Sequence, residues 1–289
     1  MCVIRDFCNA DLPRLARVWS EHWAAVQAPP PISATIIERA LLSRAFFSPR
    51  ELLVAEVDGH VEAWCHFSRP GVGGDQWSGT PDDDVALLMA ICFTQAGLQH
   101  CDDLLRAVEQ RIREEDCRKI LAGPIRDQQC GYVGLAPIGH GIGIPEMDVR
   151  ASSLLSRHGF SPQSGFQRMQ VTTAPYKPPV NREMMQFRRT TRSERSEVVP
   201  QTGRYASAMA HMDIEHHQLV NHRNGDRLAN VRLWLSDPEA QVMSCSEAIL
   251  DLSVTERPEE LTSPETFLIA ALIQTMATVS NTHLTLPTM

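Results

Sequence analysis

Apolar positions recur along this chain in two rhythms, and the switch between them marks its elements. Leu12, Leu15, Val18, Trp19 and Trp23 fall at helical spacing, which makes one apolar face of a helix. Asp11 stands where an N-cap belongs, and Pro13 falls in the first turn, where a missing N–H does no harm. Pro29, Pro30 and Pro31 end that helix, and a second amphipathic segment sets Ile36, Ile37, Ala40 and Leu41 on one side. The β rhythm predicts a strand over Val3–Phe7 and two more over Glu51–Val57 and Val61–Ser68. Asp58-Gly59 joins the last two as a hairpin, because the tight turn needs positive φ. The unbroken apolar run Val85–Phe93 predicts a central strand covered on both faces.

Leu104, Leu105, Val108 and Ile112 predict a helix over Asp102–Glu115, and Lys119–Ala122 a short strand. After a long Gly- and Pro-rich loop, Met147–Arg157 reads as a helix closed at His158-Gly159, where glycine suits the left-handed cap. Phe166–Thr173 alternates as a strand, and Pro175, Pro178 and Pro179 make a stiff linker. Beyond it a shorter version of the same order is expected: a strand over Gln186–Thr191, a short helix over Tyr205–His211, and a hairpin of His217–His222 with Arg227–Leu235 about Asn224-Gly225. A buried strand over Ala248–Val254 and a helix over Pro264–Thr278 complete it. The repeat is one of element order rather than of residues.

A length of 289 residues favours two domains at roughly 100–200 residues each. Apolar residues at 43% and charged residues at 21% are ordinary globular usage and argue against a disordered or coiled-coil chain. With 27 Lys+Arg against 35 Asp+Glu and a net charge of −8, the chain lacks the field that holds a phosphate backbone, so no nucleic-acid partner is expected. Val85–Phe93, the longest apolar run, is about half of the ~20 residues a spanning helix needs, so no membrane span is expected. Arg5 and Asp6 occupy the place of a secretory signal's apolar stretch, and the expected location is cytoplasmic. Eight cysteines without a C-x-x-C pair read as buried reduced thiols rather than a disulfide frame or zinc site. His211, His216, His217 and His222 lack metal-ligand spacing and read as a surface strand, so no metal is expected. Gly139-His-Gly-Ile-Gly143 has no strand leading into it and reads as a loop. Arg188, Arg189, Arg192 and Arg195 are interrupted by Glu194 and read as a solvated face.

Strand, two helices, hairpin, buried strand, helix, strand, helix, strand resembles the GNAT-type N-acetyltransferase superfamily. The resemblance is carried by Val3-Ile-Arg-Asp-Phe7 with Asp11-Leu12, by Leu53-Val-Ala-Glu-Val-Asp-Gly-His-Val61, and by Leu154-Leu-Ser-Arg-His-Gly-Phe160. It implies an α/β fold of the α+β kind: a mixed, mostly antiparallel sheet flanked by helices in two tandem copies. The copies would be a GNAT-like domain over 1–174, a Pro-rich linker over 175–185 and a partial second domain over 186–289. Only eleven residues, Val279–Met289, follow the last helix, so the second copy is expected to be incomplete and to self-associate through an unpaired strand edge.

The resemblance further implies acetyl transfer from acetyl-CoA to a small-molecule or peptide amine. In such folds the fourth strand splays from the fifth, the pantetheine arm lies in the gap, and the pyrophosphate rests on the N–H groups that open the next helix. Carried onto this chain, the cofactor-binding residues are Phe93, Gln95, Gly97, Gln99 and Cys101. The pattern departs here: Gln99 and Cys101 replace small residues, Asp102 and Asp103 have the wrong sign for a phosphate, and Leu155 stands in place of the usual Tyr acid. The loop of the second copy, Thr255–Glu265, has no glycine, and capping by Thr262 or Ser263 accounts for its sequence. Candidate bases are Glu62, Asp82 to Asp84, and Asp251, a carboxylate in an apolar strand. These departures leave a second reading open, a catalytically silent GNAT-like module that binds a ligand or a partner chain.

Overall fold

The structure, a computed structural model, describes residues 1–26, 33–43, 47–68, 85–123, 144–163, 176–198, 212–236, 248–251 and 261–283. The strand expected at Phe166–Thr173, the helix at Tyr205–His211, the loop at Gly139–Gly143 and the carboxylates Asp82 to Asp84 lie outside them. The chain divides into two compact units.

In the first unit, β1 (Cys2–Asp6), β2 (Leu52–Val57), β3 (His60–Ser68), β4 (Val85–Phe93) and β5 (Lys119–Ala122) form one sheet in sequential order. Neighbours from β1 to β4 are antiparallel, and β4 and β5 alone run parallel. Helices α1 (Leu12–Ala24), α2 (Ala34–Ile37), α3 (Cys101–Glu114) and α4 (Val149–Arg157) flank it. This mixed, mostly antiparallel sheet with flanking helices is the GNAT-like architecture that the resemblance implies. The hairpin turns where expected, with Asp58 at φ 48° and Gly59 at φ 85°.

All nine residues of β4 are buried, because helices cover both of its faces. On one face Ala86, Leu88, Ile91 and Phe93 join Leu104, Leu105 and Val108 of α3 and Leu154 of α4. On the other, Trp64 donates its indole N–H to the Leu15 carbonyl at 3.3 Å and stacks on Trp19 of α1. At the corner between β1 and α1, Arg5 forks onto the fully buried Asp11 with contacts of 2.7 and 2.8 Å and onto Glu56 at 2.6 Å. Cys65, Cys92, Cys101 and Cys117 are buried free thiols. Cys8 departs from that expectation: it is exposed, and its thiol and N–H both donate to Asp11.

The second unit carries α5 (Arg182–Thr190), β6 (Thr191–Glu197), β7 (Met212–Asn221), β8 (Arg227–Ser236), β9 (Ala248–Asp251) and α6 (Ser263–His283). Its strands are antiparallel in the order β6-β7-β8-β9, the order that β1 to β4 follow in the first unit. Leu219, Ala229 and Val231 pack against Leu268 and Leu272 of α6. One expected strand is corrected here: Gln186–Thr190 is helical. Asn181 caps the helix by accepting the Met184 N–H at 2.8 Å, and the Thr190 and Thr191 hydroxyls donate to the Gln186 and Phe187 carbonyls. Val279–His283, expected to lie beyond the last helix, is its final turn. His217 is likewise buried rather than on the surface, 2.7 Å from Glu215. Among the described residues no helix is long and apolar enough to cross a membrane.

Candidate active site

Two bulges shape the end of β4. Glu62 is the extra residue in β3, since Ala55 pairs with Ala63 and Glu56 with Val61. Met89 is the extra residue in β4, since His66 pairs with Ala90 and Phe67 with Leu88. Bulges re-aim backbone groups and end ladder pairing. The β4–β5 ladder stops at Leu88 opposite Ala122, with one further bond from the Gly123 N–H to the Leu88 carbonyl. Beyond it β4 runs on to Phe93 beside β3, without a strand on its other side among the described residues.

The Thr94 N–H points to β3, donating to the Glu62 carbonyl at 2.9 Å, so strand alternation turns the Phe93 N–H, and both backbone groups of Ile91, to the open side. A small cleft opens there, walled by Leu88 to Ile91, Gly123, Ile144, Pro145, Trp23, His22 and Asp148.

His22 and Asp148 are each 1% exposed at the side chain and lie 2.9 Å apart. The Phe93 N–H donates to His22 Nδ1 at 3.4 Å, which leaves Nε2 as the nitrogen carrying hydrogen, beside the carboxylate but not aligned on it as a hydrogen bond. Asp148 is the N-cap of α4, accepting the Ala151 N–H at 3.2 Å. Burial pushes its carboxyl up, but His22, the Ala151 N–H and Arg150 outweigh that and hold it below the usual carboxylate range. Arg150 lies over the Phe93 ring and donates to the His22 carbonyl. Sequence reasoning missed both members of this pair. The signal for His22 was its place on the face of α1 set by Val18 and Trp19; the signal for Asp148 was its cap position.

The residues carried over from the family pattern come together at the end of β4, but largely on one another. Glu62, Phe93, Gln95, Gly97, Gln99 and Cys101 line the turn from β4 to α3. The Glu62 carboxylate accepts the Thr94 hydroxyl at 2.5 Å and Arg17 at 3.1 Å. Among the turn's donors, the Gly97 N–H goes to the Thr94 hydroxyl, the Leu98 N–H to the Thr94 carbonyl and the His100 N–H to the Gly97 carbonyl. Burial pushes the Cys101 thiol up to about 12, so it stays protonated and donates to the Gly97 carbonyl at 3.4 Å. Asp251 belongs to the second unit, opposite Arg232 across the β8–β9 ladder.

The expected repulsion from the first turn of α3 is altered by its surroundings. Arg157 forks onto Asp102 at 2.9 and 3.2 Å and His158 lies 3.3 Å from it, while Asp103 meets Arg106. Arg157 first, and His158 with it, hold the Asp102 carboxyl below its usual range against a small opposing effect of burial. Both charges at the helix start are thus met by cations. Asp102→Asn is expected to lower stability by about 0.5–1 kcal/mol in urea unfolding, rather than to open a phosphate site. An unchanged or higher urea midpoint would contradict this account.

A group such as acetyl-CoA meets two different surfaces here. The edge of β4 at Ile91, unpaired among the described residues, fits an extended amide arm, which needs one donor and one acceptor on an apolar wall. The turn into α3 does not match a pyrophosphate cradle, because three of its N–H groups are already engaged within the turn.

No family model matches the chain, and no curated protein matches it. Among the solved structures similar to it are several N-acetyltransferases. The ribosomal-protein-S18-alanine N-acetyltransferase from Escherichia coli is 13% identical at a TM-score of 0.37, over 57% of this chain and 80% of that one. The aminoglycoside N-acetyltransferase AAC(6')-Iy, in complex with a bisubstrate analog of CoA and acetylneamine, is 14% identical at a TM-score of 0.38, over 59% of this chain and 99% of its own. The GNAT domain of PAT from S. lividans is 18% identical at a TM-score of 0.38, over 57% and 84%.

Proposed function

We propose that the first unit is an acyl-CoA-dependent N-acetyltransferase of the GNAT type, transferring acetyl from acetyl-CoA to an amine. The observation that carries this reading is the end of the β4–β5 ladder at Leu88, beyond which the Ile91 N–H and carbonyl face an apolar cleft and pair with no strand among the described residues. A buried strand edge costs free energy unless its polar groups are paired, and an extended amide chain is a complement that such an edge can take. Acetyl-CoA when bound supplies the activated acetyl thioester. In this reading Ile91 holds its arm, and Leu88, Met89 and Ile144 keep water from the thioester. The second unit is read as a partial second copy of the same fold, on the strength of its sequential four-stranded order.

A specific observation also favours the second reading, a catalytically silent module. The donors of the turn before α3 serve the turn itself, and Leu155, 6% exposed, stands where the family places its acid. One titration separates the two. Acetyl-CoA at 100 times its dissociation constant stabilises by about 2.7 kcal/mol, an expected rise in melting temperature on the order of 5–10 °C. Release of free thiol when a primary amine is added completes the activity. No shift with millimolar acetyl-CoA would leave the silent module as the reading.

A further inference from the structure

His22 belongs to α1, which packs on the Trp64 face of the sheet, whereas Asp148 opens α4, which packs with α3 on the opposite face. A contact between helices on opposite faces cannot pass through a close-packed sheet. It must go round an edge, and the edge it uses is the stretch of β4 that β5 leaves open. The imidazole therefore lies against the strand edge itself, with Nδ1 on the Phe93 N–H at 3.4 Å and Nε2 2.9 Å from Asp148. Phe93 is the next outward-facing residue of β4 after Ile91. Any extended chain that pairs with Ile91 and continues toward α3 meets His22 at the following position.

We propose that His22 and Asp148 form a latch across the open edge of β4, one that a ligand's amide chain must displace from the Phe93 N–H to occupy the cleft. The proposal rests on the acyl-CoA reading above and names what regulates access to that site. In the latched form the imidazole supplies the hydrogen-bond acceptor that an incoming amide carbonyl would otherwise supply, and the Asp148 contact holds it there. Binding carries the cost of breaking both contacts, so apparent affinity falls by the fraction of molecules that are unlatched. Arg150 strengthens the closed form by donating to the His22 carbonyl at 3.3 Å and lying over the Phe93 ring.

The test uses the full chain, CoA as probe and isothermal titration calorimetry. His22→Ala removes the ring and is expected to bind CoA about tenfold more tightly than the unsubstituted protein, close to the 1.4 kcal/mol of one hydrogen bond. His22→Gln, whose carboxamide can both accept from Phe93 and donate to Asp148, is expected to return the affinity to within about twofold of the original. Asp148→Asn keeps a side chain able to cap α4 but removes the charge, so it too is expected to bind more tightly, and it serves if His22→Ala does not fold. In parallel, hydrogen exchange at the Phe93 amide is expected to be protected in the unsubstituted protein and in His22→Gln and faster in His22→Ala. Equal or weaker CoA binding by both His22→Ala and Asp148→Asn, with the unsubstituted protein binding normally, overturns the latch and leaves the acyl-CoA reading standing. Absence of CoA binding in all four proteins removes that reading, and the latch with it.

Discussion

Arg5→Ala is expected to destabilise the first unit by about 3–5 kcal/mol, the range for stripping one partner from a buried charge pair. Asp11, 1% exposed at its side chain, would keep its place under the start of α1 while losing the guanidinium that grips both of its oxygens. Arg5 also contacts Glu56 at 2.6 Å, so the substitution unties β1 and β2 from the first helix together. The Cys8 N–H, 3.0 Å from Asp11, cannot replace a bidentate cation. Arg5→Lys, a point charge without the fork, is expected to lie between the two. Urea unfolding measures the difference, and a loss below about 1 kcal/mol would show that the corner is held by apolar contacts instead.

The acid limb of the same experiment has a definite sign. Burial alone would raise the Asp11 carboxyl, but Arg5 and the donors of Cys8 outweigh it and hold the group at about 2, against an ordinary 3.8. A carboxyl whose pKa is lower in the folded than in the unfolded chain contributes stability that is complete above the unfolded value and is lost as pH falls through the folded one. That contribution is about 2 kcal/mol and is expected to fade between about pH 4 and pH 2. In Arg5→Ala the donors of Cys8 and Arg14, 3.5 Å away, are all that oppose burial, so the carboxyl's depression, and the acid loss that follows from it, is expected to shrink. The gap between the two proteins is therefore expected to narrow as pH falls from 7 to 3.

Much of the first unit was legible because its signals are local. Nine successive apolar residues at Val85–Phe93 admit few fates other than a covered strand, and Asp58-Gly59 fixes the hairpin wherever the flanks alternate. The second unit was harder to read at its start for an equally physical reason. β6 reads Thr-Arg-Ser-Glu-Arg-Ser-Glu and only Thr191 is buried, so an edge strand with polar side chains on both faces leaves no period for the sequence to display. The helix before it depends on Asn181, whose cap was masked by the proline-rich run in front of it.

The candidate site was legible only as a place. Family spacing located the end of β4 through Phe93 and Gly97, yet the pair that lines the cleft, His22 with Asp148, joins residues far apart in the chain. Nothing in the neighbourhood of either says that the other is its partner. Glu62 shows the converse. As a lone acidic residue in a hairpin it reads as an available base, but the bulge turns its carboxylate onto the Thr94 hydroxyl and Arg17. Local patterns fix elements, whereas the commitments of polar side chains are settled by tertiary contact.

Gly97→Ala puts that distinction to a measurement, with an expected loss of about 3 kcal/mol, at the upper end of what an added methyl costs in a well-packed site. Gly97 has φ −73°, a conformation that any residue adopts, so its backbone does not require glycine. Space does: a Cβ at this position would lie 2.1 Å from the Glu62 carbonyl oxygen and 2.6 Å from its carbon. Those atoms are backbone and belong to the β3 bulge, whose carbonyl already accepts the Thr94 N–H, so they cannot swing aside as a flexible side chain would. Withdrawal of residue 97 is opposed as well, because its N–H donates to the Thr94 hydroxyl at 3.1 Å and its carbonyl accepts from the Cys101 thiol and the His100 N–H. The glycine that family spacing would assign to a phosphate is thus required for the turn to lie against β3. Urea unfolding of the full chain, read beside CoA titration, separates the two roles. A glycine kept only for a ligand's approach would give an unchanged urea midpoint and a lost affinity, whereas contact with Glu62 gives a lowered midpoint in the absence of any ligand.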